Sequence, residues 1–116
     1  ARVYIYNLKD QKIETEIPVD RNPNTIALSP DGRYLFVSCR GPNAPETYLT
    51  RSPRSGELHV IDTICRKVVD RRVLGNQPTA LAVHPSGRYL AVSNFRDNNI
   101  EFYRIDGEGE EVKAKQ

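Results

Sequence analysis

Residues 26–38 read IALSPDGRYLFVS, and residues 81–93 repeat them as LAVHPSGRYLAVS. The two copies stand at an offset of 55 residues, and the match extends back to residues 3–5 and 58–60 without a gap. One unit of sequence is therefore used at least twice. Repetition over this length indicates stacked or radial repeats rather than a single wound core.

The true period of the repeat is shorter than 55 residues. Residues 58–62 return as residues 100–104, at an offset of 42. The first copy therefore carries an insertion, which lies between Ser38 and Leu58. A period of about 40–45 residues is the length of one four-stranded propeller blade.

Short β-rich runs separated by turn residues predict that the chain is all-β. Pro30-Asp31-Gly32 and Pro85-Ser86-Gly87 are predicted tight turns, because proline pre-sets φ and glycine tolerates a positive φ. The predicted strands are Val3–Leu8, Lys12–Val19, Thr25–Leu28, Tyr34–Ser38, Glu57–Asp62, Lys67–Leu74, Thr79–Val83, Tyr89–Asn94, Asn99–Ile105 and Glu111–Lys115.

These strands predict about two and a half four-stranded antiparallel blades, with strands lettered a to d from the ring axis outward. Residues 1–24 supply the outer strands c and d of a first blade. Residues 25–74 form a complete blade whose b–c loop carries the insertion at 39–56, and residues 75–116 form a further blade. We therefore expect one partial β-propeller domain, an incomplete ring.

Two stretches resemble YVTN-type β-propeller repeats: SPDGRYLFVS at residues 29–38 and GRYLAVSN at residues 87–94. The run NIEFYRID at residues 99–106 is similar to the related lactonase-like seven-bladed propellers. The first resemblance implies a scaffold or recognition role and a periplasmic or cell-surface location. The second implies hydrolysis of a sugar lactone at the mouth of the ring.

A propeller ring closes with about 4–8 blades, so we expect other blades to complete this one. The remaining blades belong to a longer chain, or copies of this chain or a second chain supply them, or the sequence is a free-standing fragment. Joining copies of this chain would duplicate strand c at each junction. That difficulty favours a longer chain.

Composition argues against two classes of partner. The chain has 17 Lys and Arg against 15 Asp and Glu, a net charge of +2, whereas a nucleic-acid-binding protein normally shows a strong basic excess. No apolar run approaches the roughly 18–20 residues that cross a bilayer. Cys39 and Cys65 fall at opposite ends of predicted strands, too far apart for a disulfide, so we expect two free thiols.

The d–a links and the b–c loops share one mouth of the ring, and the insertion lies there. Arginine suits carboxylate and phosphate groups, so we expect a polar surface that binds an anionic ligand or a protein partner. In the alternative interpretation the loop is solvated and its arginines pair with carboxylates of adjacent blades. The predicted binding residues are Arg40, Asn43, Arg51, Arg54, Asn76, Gln77, Asn94 and Arg96.

Catalytic and metal-binding patterns are not found in the sequence. His59 and His84 fall at different strand levels without a cysteine at ligand spacing, so we predict neither a zinc site nor any cofactor. Residues 97–99, Asp-Asn-Asn, suit a tight turn better than calcium. We therefore favour a non-catalytic scaffold or recognition segment over a sugar-lactone hydrolase. A propeller serving a redox enzyme finds no support, since no C-x-x-C-H motif is present.

Overall fold

The computed structural model describes residues 1–42, 54–106 and 113–115 of the chain. Ten strands lie in these ranges, and each agrees with a predicted strand to within two residues at either end. They are β1 (Arg2–Asn7), β2 (Lys12–Pro18), β3 (Pro23–Leu28), β4 (Tyr34–Cys39), β5 (Glu57–Asp62), β6 (Lys67–Val73), β7 (Pro78–Val83), β8 (Tyr89–Asn94), β9 (Asn99–Asp106) and β10 (Lys113–Lys115).

The strands form three antiparallel sheets, which we call blades 1, 2 and 3. Blade 1 contains β1 and β2, blade 2 has the order β3-β4-β5-β6, and blade 3 has the order β7-β8-β9-β10. Every strand pairs with its neighbour in sequence within a sheet. The predicted fold class is confirmed: the chain is all-β and builds about two and a half propeller blades.

The repeated turns between strands a and b have the same backbone in both complete blades. Gly32 and Gly87 have φ angles of 76° and 75°, which an L residue with a side chain adopts only with strain. Their backbone N–H groups donate to the carbonyls of Ser29 and His84, each at 2.8 Å. The repeated Pro-x-Gly sequence is therefore explained by turn geometry.

The main hydrophobic core lies between blades 2 and 3. Alternate residues of a strand point to opposite faces, and the faces that blades 2 and 3 turn toward each other are apolar. Blade 2 contributes Tyr34, Phe36, Leu58 and Val60, and blade 3 contributes Leu90, Val92, Tyr103 and Ile105.

A second, smaller core lies between blades 1 and 2. Ile17 of β2 packs with Val37, Cys39 and Ile61, which lie on the face of blade 2 opposite the main core. Because β1 and β2 are the outer pair of a blade, they do not cover the inner end of this face. The side chains of β3 there, such as that of Ile26, remain exposed.

Blade 3 also holds blade 2 through polar contacts near the ring axis. The Nδ2 of Asn24 donates to the carbonyl of Pro78 at 2.8 Å, and the Oγ1 of Thr25 donates to the carbonyl of Thr79 at 2.9 Å. The start of β7 therefore closes the inner edge of the preceding blade.

Two further predictions concern single features of the described ranges. Cys39 is buried, Cys65 is exposed and both thiols are free, as the sequence predicts. Within residues 1–42, 54–106 and 113–115, we find no helix with the length and hydrophobicity needed to span a membrane.

Candidate binding surface at one mouth of the ring

The d–a links and the b–c loops meet at one end of the blades, where the sequence places the binding surface. In blade 2, the N–H of Arg40 donates to the carbonyl of Asn22 at 3.0 Å. In blade 3, the N–H of Phe95 donates to the carbonyl of Gln77 at 2.8 Å. Asn22 and Gln77 adopt φ angles of 53° and 55°. The same backbone clasp therefore fixes each loop to its link.

Three predicted binding residues, Asn76, Gln77 and Asn94, are buried, with at most 2% of each exposed. The N–H of Asn76 donates to Oδ2 of Asp97 at 2.8 Å, which ties the link to the b–c loop of blade 3. The Nδ2 of Asn94 donates to Oε1 of Glu101 at 2.5 Å. These buried side chains support the shape of the mouth.

Glu101 is the centre of this buried network, and the sequence analysis missed it. Its Oε1 also accepts the N–H of Gly75 at 2.9 Å, and its Oε2 accepts a short hydrogen bond from the hydroxyl of Tyr103. Burial, followed by the bond to Glu101, raises the pKa of Tyr103 well above its usual range. A carboxylate within a predicted strand, at the position of His59 in the preceding repeat, was the available signal.

Arg54 forms an ion pair with the link between blades 1 and 2. Its Nη1 and Nη2 donate to the two carboxylate oxygens of Asp20 at 2.9 and 2.6 Å. This hydrogen bonding holds the pKa of Asp20 below its usual value. A second carboxylate, that of Glu57, lies 3.9 Å from Nη1. Arg54 thus fits the alternative interpretation, in which loop arginines pair with carboxylates.

The two histidines occupy structural positions. His59 is buried in β5, and its Nε2 lies 3.0 Å from Oε1 of Glu57. It borders a groove of about 210 Å³ between blades 1 and 2, together with Asp20, Glu57 and Arg71. His84 lies at the opposite mouth, where its Nδ1 accepts the N–H of Ser86 at 3.0 Å and stabilises a turn.

Besides the ion-paired Arg54, the predicted binding residues at the mouth surface of the described chain are Arg40 and Arg96. Arg40 is half-buried, and its Nε is buried without a hydrogen-bond partner among the described residues. Arg96 is exposed, next to the half-exposed ring of Phe95. Asn43 and Arg51 lie outside the described residues. The surface that the structure shows is therefore a basic and aromatic rim.

In the part of the chain that the structure describes, no three His, Cys, Asp or Glu side chains come close enough together to bind a metal ion. The oxygens of residues 97–99 illustrate the reason. Oδ2 of Asp97 accepts the N–H of Asn76, and Asn98 has a φ angle of 54°, typical of a tight turn.

Comparison with known proteins places this geometry in a wider group. The family described as lactonase, 7-bladed beta-propeller, matches residues 3–116. Antigen Lp49 of Leptospira interrogans is 51% identical over 108 residues, which are 92% of this chain and 24% of that protein. A 6-phosphogluconolactonase of Formosa agariphila is 36% identical over 84 residues, 72% of this chain and 22% of that protein. The chain thus spans about a quarter of the length of these curated relatives.

Two solved structures share the arrangement of the blades. A Bacteroides fragilis protein assigned as a 6-phosphogluconolactonase superposes with a TM-score of 0.74 at 19% identity, over 97% of this chain and 31% of that chain. Hydrazine synthase of Kuenenia stuttgartiensis superposes with a TM-score of 0.67 at 19% identity, over 97% of this chain and 35% of that chain. At such identities these similarities establish the fold alone.

Proposed function

Because the chain belongs to the seven-bladed lactonase propeller family, we propose that it supplies part of a closed ring whose mouth binds an anionic sugar lactone for hydrolysis. The remaining blades complete the ring in a longer chain. This chain then contributes the wall of the mouth around Arg40 and Arg96. A relative of similar sequence bears the name 6-phosphogluconolactonase, which supports a phosphorylated sugar lactone as the substrate.

One observation carries the proposal at the level of side chains. The Nε of Arg40 is buried at the mouth and has no hydrogen-bond partner among the described residues. A desolvated donor without a partner costs about 1–3 kcal/mol, and an anion at the mouth that draws the guanidinium toward it relieves that cost. A guanidinium also presents paired donors that match phosphate and carboxylate oxygens. Arg40 is therefore the residue that we assign to the anionic group.

The lactone ring opens when water adds to the ester carbonyl and the ring oxygen leaves as the hydroxyl group, which at neutral pH yields the sugar carboxylate and a proton. Arg40 binds and orients the anionic end of the substrate in this scheme. The attacking water and its base belong to parts of the mouth other than the described residues of this chain. The buried network around Glu101 keeps the two loops in place but does not face the substrate.

The test uses the protein with its complete ring and measures hydrolysis of 6-phosphogluconolactone by the acid released. We expect Arg40→Ala to raise KM about tenfold or more, in line with a lost charge-assisted bond, and Arg40→Lys to recover part of it. Arg88→Ala is the matched control, because Arg88 is an exposed arginine at the opposite mouth. Equal kinetics for Arg40→Ala and Arg88→Ala would remove Arg40 from the site.

Recognition of a ligand or protein without turnover is the second candidate. The relative with the higher identity, 51% against 36%, bears the name Antigen Lp49, which states no enzymatic activity. The structural use of Arg54, Asn76 and Asn94 also leaves few polar groups for chemistry. Titration calorimetry with 6-phosphogluconate separates the candidates, since binding without any turnover of the lactone would support recognition alone.

A further inference from the structure

One face of blade 3 points away from blade 2. Its residues are the repeat equivalents of those on the face of blade 2 that blade 3 covers. Side chains that are almost fully buried on blade 2 have equivalents on blade 3 that are more than half exposed. The pairs are Tyr34 and Tyr89 (6% and 51% exposed), Leu58 and Ile100 (0% and 61%), and Val60 and Phe102 (0% and 65%). We call the exposed set, with Ala82 and Ala91, the blade 3 flank.

The blade 3 flank differs from its equivalent in the position of its bulk. In blade 2, Phe36 of strand b lies directly opposite Val60 of strand c. In blade 3, Ala91 of strand b lies directly opposite Phe102 of strand c. The phenyl ring has moved one strand outward, and its partner has become smaller, since the residue opposite the ring is alanine here and valine in blade 2. Close-packed interfaces respond to such changes of shape, so a blade that fits one face does not fit the other.

Polar groups at the edges of the two faces differ as well. Asp62 of blade 2 pairs with Tyr34 in the sheet and is buried, whereas Arg104 occupies the equivalent place in blade 3 and is exposed. At the inner edge, Ala80 replaces Thr25, whose hydroxyl bonds to blade 3. The blade 3 flank therefore lacks the hydroxyl donor and carries a cation where blade 2 carries an anion.

We propose that the blade 3 flank binds a four-stranded blade that differs from blade 3 itself. The face of that blade that packs on the flank offers a recess opposite Phe102 and a large side chain opposite Ala91. The interface between blades 2 and 3 is the template, since radial repetition presents the same face at every step. The inference depends on the closed ring proposed above and adds which kind of blade follows. We therefore do not expect a second copy of this chain to occupy the flank through its blade 3, because the corresponding face of blade 3 already packs against blade 2.

The experiment moves the large side chain of the blade 3 flank from strand c to strand b and measures the Tm. It uses the protein with its complete ring. The variants are Phe102→Val, Ala91→Phe and the double exchange, which recreates the relief of blade 2. We expect each single variant to lower the Tm by about 2 °C or more, through a cavity or an overlap, and the double exchange to recover none of it. Ile64→Ala is the control, because Ile64 is 71% exposed in a c–d turn.

Each other outcome overturns the inference in a different way. An unchanged Tm in all three variants, with a closed ring in small-angle scattering, would show that the flank faces solvent while the ring stands. An open wedge in scattering would reject the ring itself and the inference with it. Tighter self-association of the double exchange in sedimentation experiments would show that a second copy occupies the flank.

Discussion

Asp62 stabilises blade 2 through four hydrogen bonds at one corner. Its Oδ2 accepts from Nε and Nη2 of Arg33 at 3.2 and 3.0 Å, and its Oδ1 accepts from the N–H groups of Ile64 and Cys65 at 2.8 and 3.3 Å. The bond from Arg33, against the opposing effect of burial, holds the pKa of Asp62 below its usual value. The carboxylate is therefore more stable in the folded chain than in the unfolded chain.

We predict that Asp62→Asn lowers the free energy of unfolding by about 1–3 kcal/mol at pH 7. A lowered pKa means that this stabilisation is complete above the unfolded pKa of about 3.9 and is lost as the pH falls through the folded value. The difference between the wild type and the variant should therefore shrink below about pH 4. Urea titrations from pH 3 to 8 check this, with Asp10→Asn at an exposed turn as control. A difference that is the same at pH 3 and pH 7 would contradict it.

Sequence reasoning succeeded best for single residues where the repeat itself constrained them. Gly32 and Gly87 were identified as turn residues because the same Pro-x-Gly occurs twice. Asn76 and Asn94 were expected on the surface, yet both are buried, because polarity alone does not tell which way a side chain points at a strand end. The pairing of Arg54 with Asp20 joins residues 34 positions apart, and only the packed blades bring them together.

At the scale of strands and loops, two glycines show how tightly a link packs against a neighbouring loop. A Cβ added to Gly56 would lie 2.5 Å from the carbonyl oxygen of Cys39 and from Cδ of Pro78. A Cβ added to Gly75 would lie 2.6 Å from side-chain atoms of Asn94 and Asp97. Backbone and a proline ring cannot give way as side-chain ends can. The two sites therefore differ in tolerance.

We predict that Gly56→Ala destabilises the chain by about 2–3 kcal/mol and that Gly75→Ala costs about 1 kcal/mol less, because overlap with rigid atoms forces the backbone to shift. Thermal unfolding of the two variants measures the order directly. Ser55→Ala is a control beside Gly56 that adds no atom. Equal destabilisation at both glycines would contradict the distinction between rigid and mobile neighbours.

The strands themselves were the most predictable elements of the fold. Alternation of apolar residues and the repeated turns located all ten, since strand faces and turn geometry are local properties. The contacts at the mouth were harder to predict. The hydrogen bond between Glu101 of β9 and Gly75, which lies in the link before β7, is an example. This contact joins residues 26 positions apart, which no local pattern encodes.

At the scale of the whole molecule, Cys39 and Cys65 report on the interface between blades 1 and 2. Cys39 lies in the smaller core, where burial, and secondarily the carboxylate of Asp20, raises its pKa to about 11. Cys65 is exposed in a turn. The thiolate is the reactive species, so a thiol with a raised pKa inside a core reacts slowly.

We predict that a disulfide reagent at pH 8 labels one thiol of the native protein within minutes. The second thiol should react only at urea concentrations that separate blade 1 from blade 2, since about 0.1% of Cys39 would be ionised at this pH even if reagent reached it. Mass spectrometry of labelled peptides identifies the site, and Cys65→Ser is the control that removes the fast phase. Rapid labelling of Cys39 without urea would contradict a closed interface.

The inner edge of blade 2 is covered by Pro78 and Thr79, the first two residues of β7 in blade 3. The stretch of sequence that completes the contacts of blade 2 therefore extends a few residues beyond the last strand of its sheet. A truncated protein that ends with blade 2, or a blade 2 grafted into another protein, should therefore include Thr79 and not end at β6. A cut at the end of β6 would expose the amide of Asn24 and the hydroxyl of Thr25 to water. The uncovered inner edge of blade 2 would then be free to associate with another protein.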